Sequence, residues 1–289
     1  MLKIFFLLIL IIVTVMLDKN LLNVGSNEFY TTNRIDKHNK KTVWIYNNYI
    51  TQRQDYTSTP PIIDLCIETV TRHLDPTYNI LVFTQADIQR IVPEYVTYIE
   101  SCKSPYIRDN LLKYAIIYKY GGVWLNCSTI VVNNFDLDES AYLQGKLIFF
   151  CERAKQYNDK FNSFDFTNIA SIKNSEQIKV ILDNLLRVSN TLNHDYSFNN
   201  LIESNLTEDA NIHYMPISNN TIINRIPLDN KQLFGYSNTI TLDKPVKFLC
   251  LDFKTLVLEP AYNSILTMTR HEILSSNLLF KKLIKYGLD

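Results

Sequence analysis

Asn126 and Ser128 are the residues of this chain whose types and spacing first suggest chemistry. They stand two positions apart at the end of the apolar run in GVWLNCS. Because successive side chains of a β-strand point to opposite faces, residues two apart share one face. Two neighbouring oxygen atoms at a strand end could hold a divalent metal ion or contact a phosphate group. We therefore take Asn126 and Ser128 as the centre of the candidate site.

The segment from Asp109 to Val132 has the pattern of a helix, a glycine pair and a strand. Its first half carries apolar residues at helical spacing, at Leu111, Tyr114, Ala115 and Tyr118. Gly121 follows the last helical residue, where a residue without a Cβ easily takes the positive φ that often ends a helix. From Val123 to Val132 the residues alternate with a period of two, which predicts a strand.

The residues before this segment predict alternating strands and helices. Thr42–Tyr46 and Asn79–Thr84 are short apolar runs typical of buried strands, and Ile62–His73 has helical spacing after Thr59 and a proline pair. This order indicates an α/β fold, with a mostly parallel sheet and helices on both faces. Ligands bind at the carboxyl ends of strands in such sheets, so Trp44–Asn47 and Asn126–Ser128 are expected to lie near a ligand.

Later elements are predicted in the same way. Further strands are predicted at Gly145–Cys151, Phe166–Ile172, Ile212–Ile217, Thr239–Leu242 and Val246–Phe253. A long amphipathic helix is predicted from Asn174 to Leu192, with Asn174 as its cap, and a carboxyl-terminal helix from Ser275 to Gly287.

Composition argues against several classes of protein. The 29 basic and 29 acidic residues cancel and no basic stripe stands out, so we expect no nucleic-acid partner. The six glycines are spaced so that neither a G-x-G-x-x-G nor a P-loop motif can be formed. The five cysteines are scattered, odd in number and without a C-x-x-C pair, so neither a zinc site nor a disulfide framework is supported.

The amino-terminal residues predict a membrane anchor. Ile4–Leu17 is almost wholly apolar. We expect residues 1–19 to be a signal anchor or transmembrane helix, 20–41 a stem or linker, and 42–289 the functional domain. A cleaved signal peptide and a buried helix are the alternatives. Lys3 and the free amine favour a cytosolic amino terminus, which predicts a single-pass membrane protein, in ER- or Golgi-type endomembranes if the host is eukaryotic.

The helix–glycine–strand segment resembles the capsular polysaccharide synthesis glycosyltransferases and the related transferases that share a DXD sugar-transferase region. Their pattern is S-D-x-x-R, a helix, then Y-G-G-[IV]-[WY]-[LI]-D, and DNLLKYAIIYKYGGVWLNCS aligns with it without a gap. TVWIY, PPIIDLCIETV, NILVFT and HDYSF resemble flanking segments of the family, so the likeness extends from Thr42 to Phe198.

The resemblance implies a GT-A-like glycosyltransferase of hexosyltransferase type in residues 42–289. Such an enzyme would take a nucleotide sugar as donor, often with Mn²⁺ or Mg²⁺, and transfer the sugar to a glycan or lipid-linked acceptor. The candidate catalytic residues are Asn126, Ser128, Asp109 and Asp195, and Asn126 and Ser128 are also the candidate metal ligands. The candidate donor-binding residues are Trp44, Asn110, Lys113, Gly121, Gly122 and Trp124.

The chain departs from the family pattern at positions where charge is expected. Asn110 stands at the Asp of S-D-x-x-R, Lys113 at its Arg, and Asn126 at the first Asp of D-x-D. An amide oxygen coordinates a hard cation more weakly than a carboxylate does, and Lys lacks the bidentate fork of Arg. A second hypothesis is therefore a catalytically inactive descendant that binds a glycan or supports an active transferase.

Two further assignments have structural alternatives. Asp109 is the carboxylate nearest to Asn110 in sequence, but it could instead form an i,i+4 ion pair with Lys113. Trp44 and Trp124 could wall the donor nucleotide or pack in an aromatic core.

Overall fold

The computed structural model describes residues 41–48, 59–74, 76–133, 137–150, 167–189, 212–214, 222–223, 226–227, 234–235, 248–251 and 262–289. By its internal contacts the chain divides into Met1–Ile35 and Asp36–Asp289, and all described residues belong to the second unit. The domain boundaries after residues 19 and 41 stay predictions. Asp195 and the predicted strand Thr239–Leu242 lie outside the described residues.

Strands and helices alternate through the first part of the described chain. The strands are β1 Lys41–Tyr46, β2 Tyr78–Phe83, β3 Gly122–Asn126, β4 Thr129–Val131, β5 Leu147–Phe149, β6 Ile169–Ser171, β7 Ile212–Tyr214, β8 Ile222–Ile223, β9 Ile226–Pro227 and β10 Phe248–Cys250. The α-helices are α1 Pro61–His73, α2 Ile88–Ile91, α3 Val96–Ser101, α4 Pro105–Tyr120, α5 Glu139–Leu143, α6 Glu176–Val188, α7 Asn263–Thr267, α8 Arg270–Ser275 and α9 Leu279–Leu288. Short 3-10 turns at Gln85–Asp87 and Pro93–Tyr95 precede α2 and α3.

Six of these strands form the central sheet, in the order β2–β1–β3–β6–β5–β7. The pairs β1–β2, β1–β3 and β5–β7 are parallel. Strand β6 is antiparallel to both of its neighbours, β3 and β5. The predicted α/β class with a mostly parallel sheet is confirmed, and the parallel half, β2–β1–β3, carries the candidate site.

Helices cover both faces of the sheet. In β1, Val43 and Ile45 belong to a core formed with α1 and the carboxyl-terminal helices α7, α8 and α9. Trp44 and Tyr46 belong to a second core on the other face, formed with α2, α3, α4 and α6. Both faces of β1 are buried in this way, which is why its sequence is apolar almost throughout.

The predicted strand from Val123 to Val132 is interrupted, and this part of the prediction was wrong. Strand β3 ends at Asn126, a turn follows, and β4 pairs with β10 in a separate two-stranded sheet. The side-chain oxygen of Asn126 accepts from the backbone N–H of Ser128 at 3.0 Å. A side-chain acceptor of this kind replaces the ladder hydrogen bond and turns the chain.

The starts of two helices differ from prediction, one because of a capping side chain and one because of a backbone angle. Helix α4 begins at Pro105 and not at Asp109, with Ser104 as its cap. Helix α6 follows Ser175, whereas Asn174, the predicted cap, has a φ of 59°. The positive φ of Asn174 lies outside the range of helix-start residues, and the sequence does not report this angle.

Other predicted elements exist with shorter bounds. Strands β5 and β6 are the central residues of the predicted runs Gly145–Cys151 and Phe166–Ile172. The predicted carboxyl-terminal helix corresponds to α9 and begins at Leu279 rather than Ser275, because the backbone is extended at Ser276 and Leu278. The apolar pattern thus places the elements, while backbone conformation at single residues sets their ends.

The predicted single-pass membrane localisation is contradicted by the structure. In the part of the chain that it describes, no helix is long and apolar enough to cross a membrane. The run Ile4–Leu17, on which the anchor, the cytosolic amino terminus and the endomembrane location depended, lies outside the described residues.

Gly121 and Gly122 let the chain pass from α4 directly into β3. The N–H of Gly121 donates to the carbonyl of Ile117 at 2.8 Å and ends the helix, as the sequence predicts. Both glycines have positive φ, 68° and 101°. A Cβ on Gly121 would lie 2.5 Å from the backbone nitrogen of Lys173. A Cβ on Gly122 would lie 2.2 Å from the carbonyl oxygen of Thr42 in β1, so close packing requires glycine as much as the backbone angles do.

Gly122→Ala should destabilise the protein more than Gly145→Ala. Both positions have positive φ, so each alanine adds about 1–2 kcal/mol of backbone strain. At Gly145 the added methyl group meets only the flexible end of Ile172, at 3.1 Å, whereas at Gly122 it meets backbone. We expect urea unfolding to show a loss of about 1–2 kcal/mol for Gly145→Ala and about twice that or more for Gly122→Ala. Equal losses would contradict the close packing at Gly122.

Stability should depend on pH through Asp64, in the first turn of α1. Burial raises the pKa of this carboxyl from 3.8 to about 6, although the charge of Arg270 opposes the shift. Between these values the folded chain holds a proton that the unfolded chain has lost, so the free energy of unfolding falls as pH rises from about 4 to about 6. Asparagine does not titrate, so in Asp64→Asn we expect the melting temperature to change less between pH of about 4 and about 6 than it does in the wild-type chain. Asp183→Asn, at an exposed aspartate of α6, is the control, and equal profiles for both variants would contradict the assignment.

Candidate functional site

The carboxyl ends of β1 and β3 lie side by side, because the strands are parallel and Tyr46 is paired with Asn126. Asn47 and Asn48 follow β1 directly, and Asn126 is the last residue of β3. Asn168 joins them from the position before β6, which runs antiparallel beside β3. We call Asn47, Asn48, Asn126 and Asn168 the amide cluster. It occupies the sheet edge at which the sequence predicts ligand binding.

Asn126 is held by the turn that ends β3. Its side-chain oxygen Oδ1 accepts from the backbone N–H of Ser128 at 3.0 Å and lies 2.9 Å from the Ser128 hydroxyl oxygen. Ser128 has no exposed surface, and its hydroxyl oxygen is also 2.7 Å from the carbonyl oxygen of Leu251. A hydroxyl has one proton and donates to one of these acceptors at a time. The predicted pair is in contact, but through a turn and not along one face of a strand.

Asn168 supports this turn from the neighbouring strand. Its Oδ1 accepts from the backbone N–H of Asn126 at 2.7 Å and lies 3.5 Å from the hydroxyl oxygen of Thr129. The residue is 1% exposed. Its amide nitrogen Nδ2 is buried and has no hydrogen-bond partner within the described part of the chain. An unpaired buried donor costs about 1–3 kcal/mol, so the structure retains this group at a measurable cost.

A second set of contacts joins the end of β1 to the start of α4. The Nδ2 of Asn48 donates to one carboxylate oxygen of Asp109 at 2.6 Å, and the other oxygen is 3.7 Å from Nε of Arg108. The thiol of Cys127 lies 3.9 Å from Oδ1 of Asn48. Burial, with a smaller contribution from the charge of Asp109, raises the pKa of this thiol to about 12. Cys127 is therefore protonated at neutral pH and is not a nucleophile.

Trp44 and Trp124 are paired on β1 and β3 and pack in the aromatic core. Trp44 has no exposed surface and Trp124 is 5% exposed. Their rings lie 6.3 and 6.0 Å from the ring of Phe83, centroid to centroid. The indole N–H of Trp44 donates to the carbonyl of Gly121 at 3.0 Å. These contacts match the core-packing alternative and leave little surface with which either indole could wall a nucleotide.

Asn110 and Lys113, two predicted donor-binding residues, lie in the interior. The Nδ2 of Asn110 donates to the carbonyl of Tyr106, one turn earlier in α4, at 2.9 Å. Lys113 is 4% exposed, and its Nζ lies 5.2 Å from the ring centroid of Tyr114. The structure thus places both residues in the layer of buried side chains on α4, away from solvent.

Sequence comparison adds a family to this geometry. The profile of the family described as "Capsular polysaccharide synthesis protein" matches residues 12–234. The chain belongs to this family. The resemblance of the helix–glycine–strand segment is therefore confirmed. No curated protein matches the chain.

Similar solved structures are glycosyltransferases of distant sequence. The PaToxG glycosyltransferase is 15% identical with a TM-score of 0.35, over 58% of this chain and 70% of that chain. The glycosyltransferase GlyE of Streptococcus pneumoniae TIGR4 is 11% identical with a TM-score of 0.34, over 61% of this chain and 45% of that chain. The apo form of GlyE is 14% identical with a TM-score of 0.32, over 57% of this chain and 43% of that chain. This chain spans less than half the length of GlyE, and at these TM-scores the likeness carries no conclusion.

Three of the four candidate catalytic residues lie at the amide cluster. Asn126 and Ser128 form the turn, and Asp109 contacts Asn48 from α4. The fourth, Asp195, lies outside the described residues. The candidate glycines, Gly121 and Gly122, stand at the opposite end of β3, where they shape the entry of the strand.

Sequence reasoning missed two members of the amide cluster. Asn47 was included as the last residue of the expected ligand edge, and Asn48 could have been found because it follows directly. Asn168 gave no local signal, since its contact with Asn126 spans 42 positions and depends on the antiparallel pairing of β6.

The described residues at this edge do not fit the divalent cation that the family resemblance implies. Mg²⁺ and Mn²⁺ prefer octahedral sets of oxygen ligands, with carboxylates among them. Within the described ranges, no three His, Cys, Asp or Glu side chains come together in a group that could hold a metal ion. Both lone pairs of Asn126 Oδ1 already face the N–H and the hydroxyl of Ser128. The proposed metal ligation by Asn126 and Ser128 would therefore have to break the turn.

Ser128→Ala should destabilise the protein by about 1–3 kcal/mol, because the buried Leu251 carbonyl and Asn126 Oδ1 lose the hydroxyl that they share. Ser140→Ala removes a hydroxyl from an exposed position of α5 and should change stability by less than about 0.5 kcal/mol. Urea unfolding of both variants measures the difference. If the two variants are equally stable, the Ser128 hydroxyl does not hold the turn.

Proposed function

We propose that the chain is a glycosyltransferase that binds a nucleotide-sugar donor at the amide cluster and transfers its sugar to a glycan or lipid-linked acceptor. Membership of the capsular polysaccharide synthesis family is the observation that carries this proposal. The synthesis of a polysaccharide requires enzymes that join activated sugars. The GT-A-like fold and the hexosyltransferase type belong to the same proposal.

The position of the amide cluster supports a donor site. It lies at the carboxyl ends of the parallel strands β1 and β3, where α/β folds bind ligands. Asn126 is partly exposed and can be reached from outside. Oδ1 of Asn47 is a buried acceptor without a hydrogen-bond partner among the described residues, which suits a hydroxyl group of a ribose or a hexose.

The chemistry of sugar transfer matches polar donors at this edge. When the bond between the anomeric carbon and the diphosphate breaks, the electron pair stays on the phosphate oxygen and negative charge develops there. N–H groups stabilise such charge best when the surrounding protein already holds them in place. Asn126 and Asn168 are held by the hydrogen bonds of their Oδ1 atoms. Asn48 and Asp109 fix the adjacent part of the edge.

A second candidate function is binding of a glycan, or support of an active transferase, without catalysis. The observation that favours it is the loss of acidic side chains, since Asn110 and Asn126 stand where the family pattern has aspartates. The two functions differ in one property, which is whether a donor sugar is turned over.

Binding and turnover of nucleotide sugars by the full chain test the proposal. Isothermal titration against UDP-, GDP- and dTDP-linked hexoses should show one donor that binds with a dissociation constant between about 1 μM and 1 mM. Release of the nucleoside diphosphate in the presence of polysaccharide acceptor should follow. If none of the donors binds, the glycosyltransferase proposal fails. If a donor binds but is not turned over, the second candidate is favoured.

Asn126→Ala should weaken binding of that donor about tenfold or more, because a hydrogen bond to a charged group contributes about 1.5–3 kcal/mol. Asn277→Ala makes the same change at an exposed position between α8 and α9 and should leave the affinity unchanged. Isothermal titration measures both. Equal affinities for the two variants would place the donor elsewhere on the protein.

A further inference from the structure

We infer that the amide cluster binds the diphosphate of its ligand through amide N–H groups of Asn126 and Asn168, without a divalent cation. The inference rests on the proposed function, because it specifies how the phosphate oxygens of the donor are recognised. In this inference, two side-chain N–H groups of the protein do the work of the cation that the family resemblance implies.

The hydrogen bonds of Asn126 and Asn168 fix which end of each amide faces the protein. A backbone N–H can only donate, so the side-chain atom that it meets must be the amide oxygen. Oδ1 of Asn126 meets the N–H of Ser128, at 3.0 Å. Oδ1 of Asn168 meets the N–H of Asn126, at 2.7 Å. Turning either amide by 180° would set two donors against each other.

With both oxygens committed, the groups that remain to a ligand are NH₂ donors. Such donors bind anionic oxygen atoms and repel cations. Nδ2 of Asn168 is buried and has no partner among the described residues, and it belongs to the side chain that holds Asn126. The oxygen of the same amide lies 2.7 Å from the backbone nitrogen of Asn126, so Nδ2 of Asn168 is close to that residue. Nδ2 has almost no exposed surface, so a phosphate group at Asn126 must displace neighbouring side chains to become its acceptor. Direct binding of a phosphate group would thus explain both the unpaired amide nitrogen of Asn168 and the poor fit of the cluster to Mg²⁺ or Mn²⁺.

The charge around the cluster is compatible with an anionic ligand. Among the described residues at this edge, Asp109 carries a carboxylate. Nε of Arg108 lies 3.7 Å from one of its oxygens. Asn48 donates to the same carboxylate. The negative charge of Asp109 is therefore compensated within the protein, and the repulsion that it exerts on a diphosphate is reduced.

An aspartate at position 126 would favour a cation and repel an anionic ligand. One of its carboxylate oxygens could accept from Ser128 and preserve the turn, but the second oxygen would stand where Asn126 has its NH₂ group. Two negatively charged groups repel unless a cation lies between them. Asn126 can therefore bind the diphosphate directly, whereas an aspartate at this position would need a metal ion between the two negative charges.

Isothermal titration of the full chain with UDP, GDP and dTDP, each in EDTA and in excess MnCl₂, tests the inference. For the nucleotide that binds, we expect the dissociation constant in EDTA to be within about twofold of the one in MnCl₂. Asn126→Asp should lose about tenfold or more of this affinity in EDTA and regain it with manganese. Asn277→Asp, the same change at an exposed position, should keep the wild-type affinity in both conditions.

The outcomes separate this inference from the proposed function. Binding by the wild-type chain only in manganese overturns the inference and leaves the proposed function standing. Absence of binding to all three nucleotides, in both conditions, overturns the proposed function and the inference with it. Pyrophosphate competition in EDTA needs no variant. Pyrophosphate should displace the nucleotide if the diphosphate is the recognised group, and failure to displace it also overturns the inference.

Discussion

The hydrogen bond from the backbone N–H of Ser128 to the side chain of Asn126 decides where the central sheet ends and which chemical group stands at its edge. It stops β3 at Asn126 and lets the chain continue into β4, which belongs to another sheet. The same bond turns the Asn126 oxygen toward the protein. A local competition between a side chain and the backbone ladder therefore produces both the topology and the character of the site.

Contacts from several parts of the fold hold this turn in place. Asn168 binds it from the position before β6, and the carbonyl of Leu251, after β10, lies next to the Ser128 hydroxyl. The Cys127 thiol within the turn lies near Asn48, at the end of β1. Residues from distant parts of the sequence thus converge on three consecutive positions. This convergence supports a functional reading, since a turn needed only for chain reversal would not require so many polar partners.

The elements that sequence reasoning identified are those specified by local patterns. Apolar runs located β1, β2 and α1, and Gly121 marked the end of α4 because its positive φ and close packing tolerate no side chain. The break after Asn126 was missed, because alternating residues with an Asn-x-Ser step fit both a strand and a side-chain turn. The role of Asn168 depends on a pairing of strands that no local pattern reports. Burial, which the sequence does not give, places Trp44 in the aromatic core.

The amide NH₂ resonances of Asn126 in a ¹⁵N-labelled full chain would test the central claim most directly, with assignment by their loss in Asn126→Asp. The account predicts that these resonances shift when the bound nucleoside diphosphate is added in EDTA, while those of the exposed Asn277 stay unchanged. It is contradicted if the Asn126 resonances stay in place, or if they move only after manganese is added.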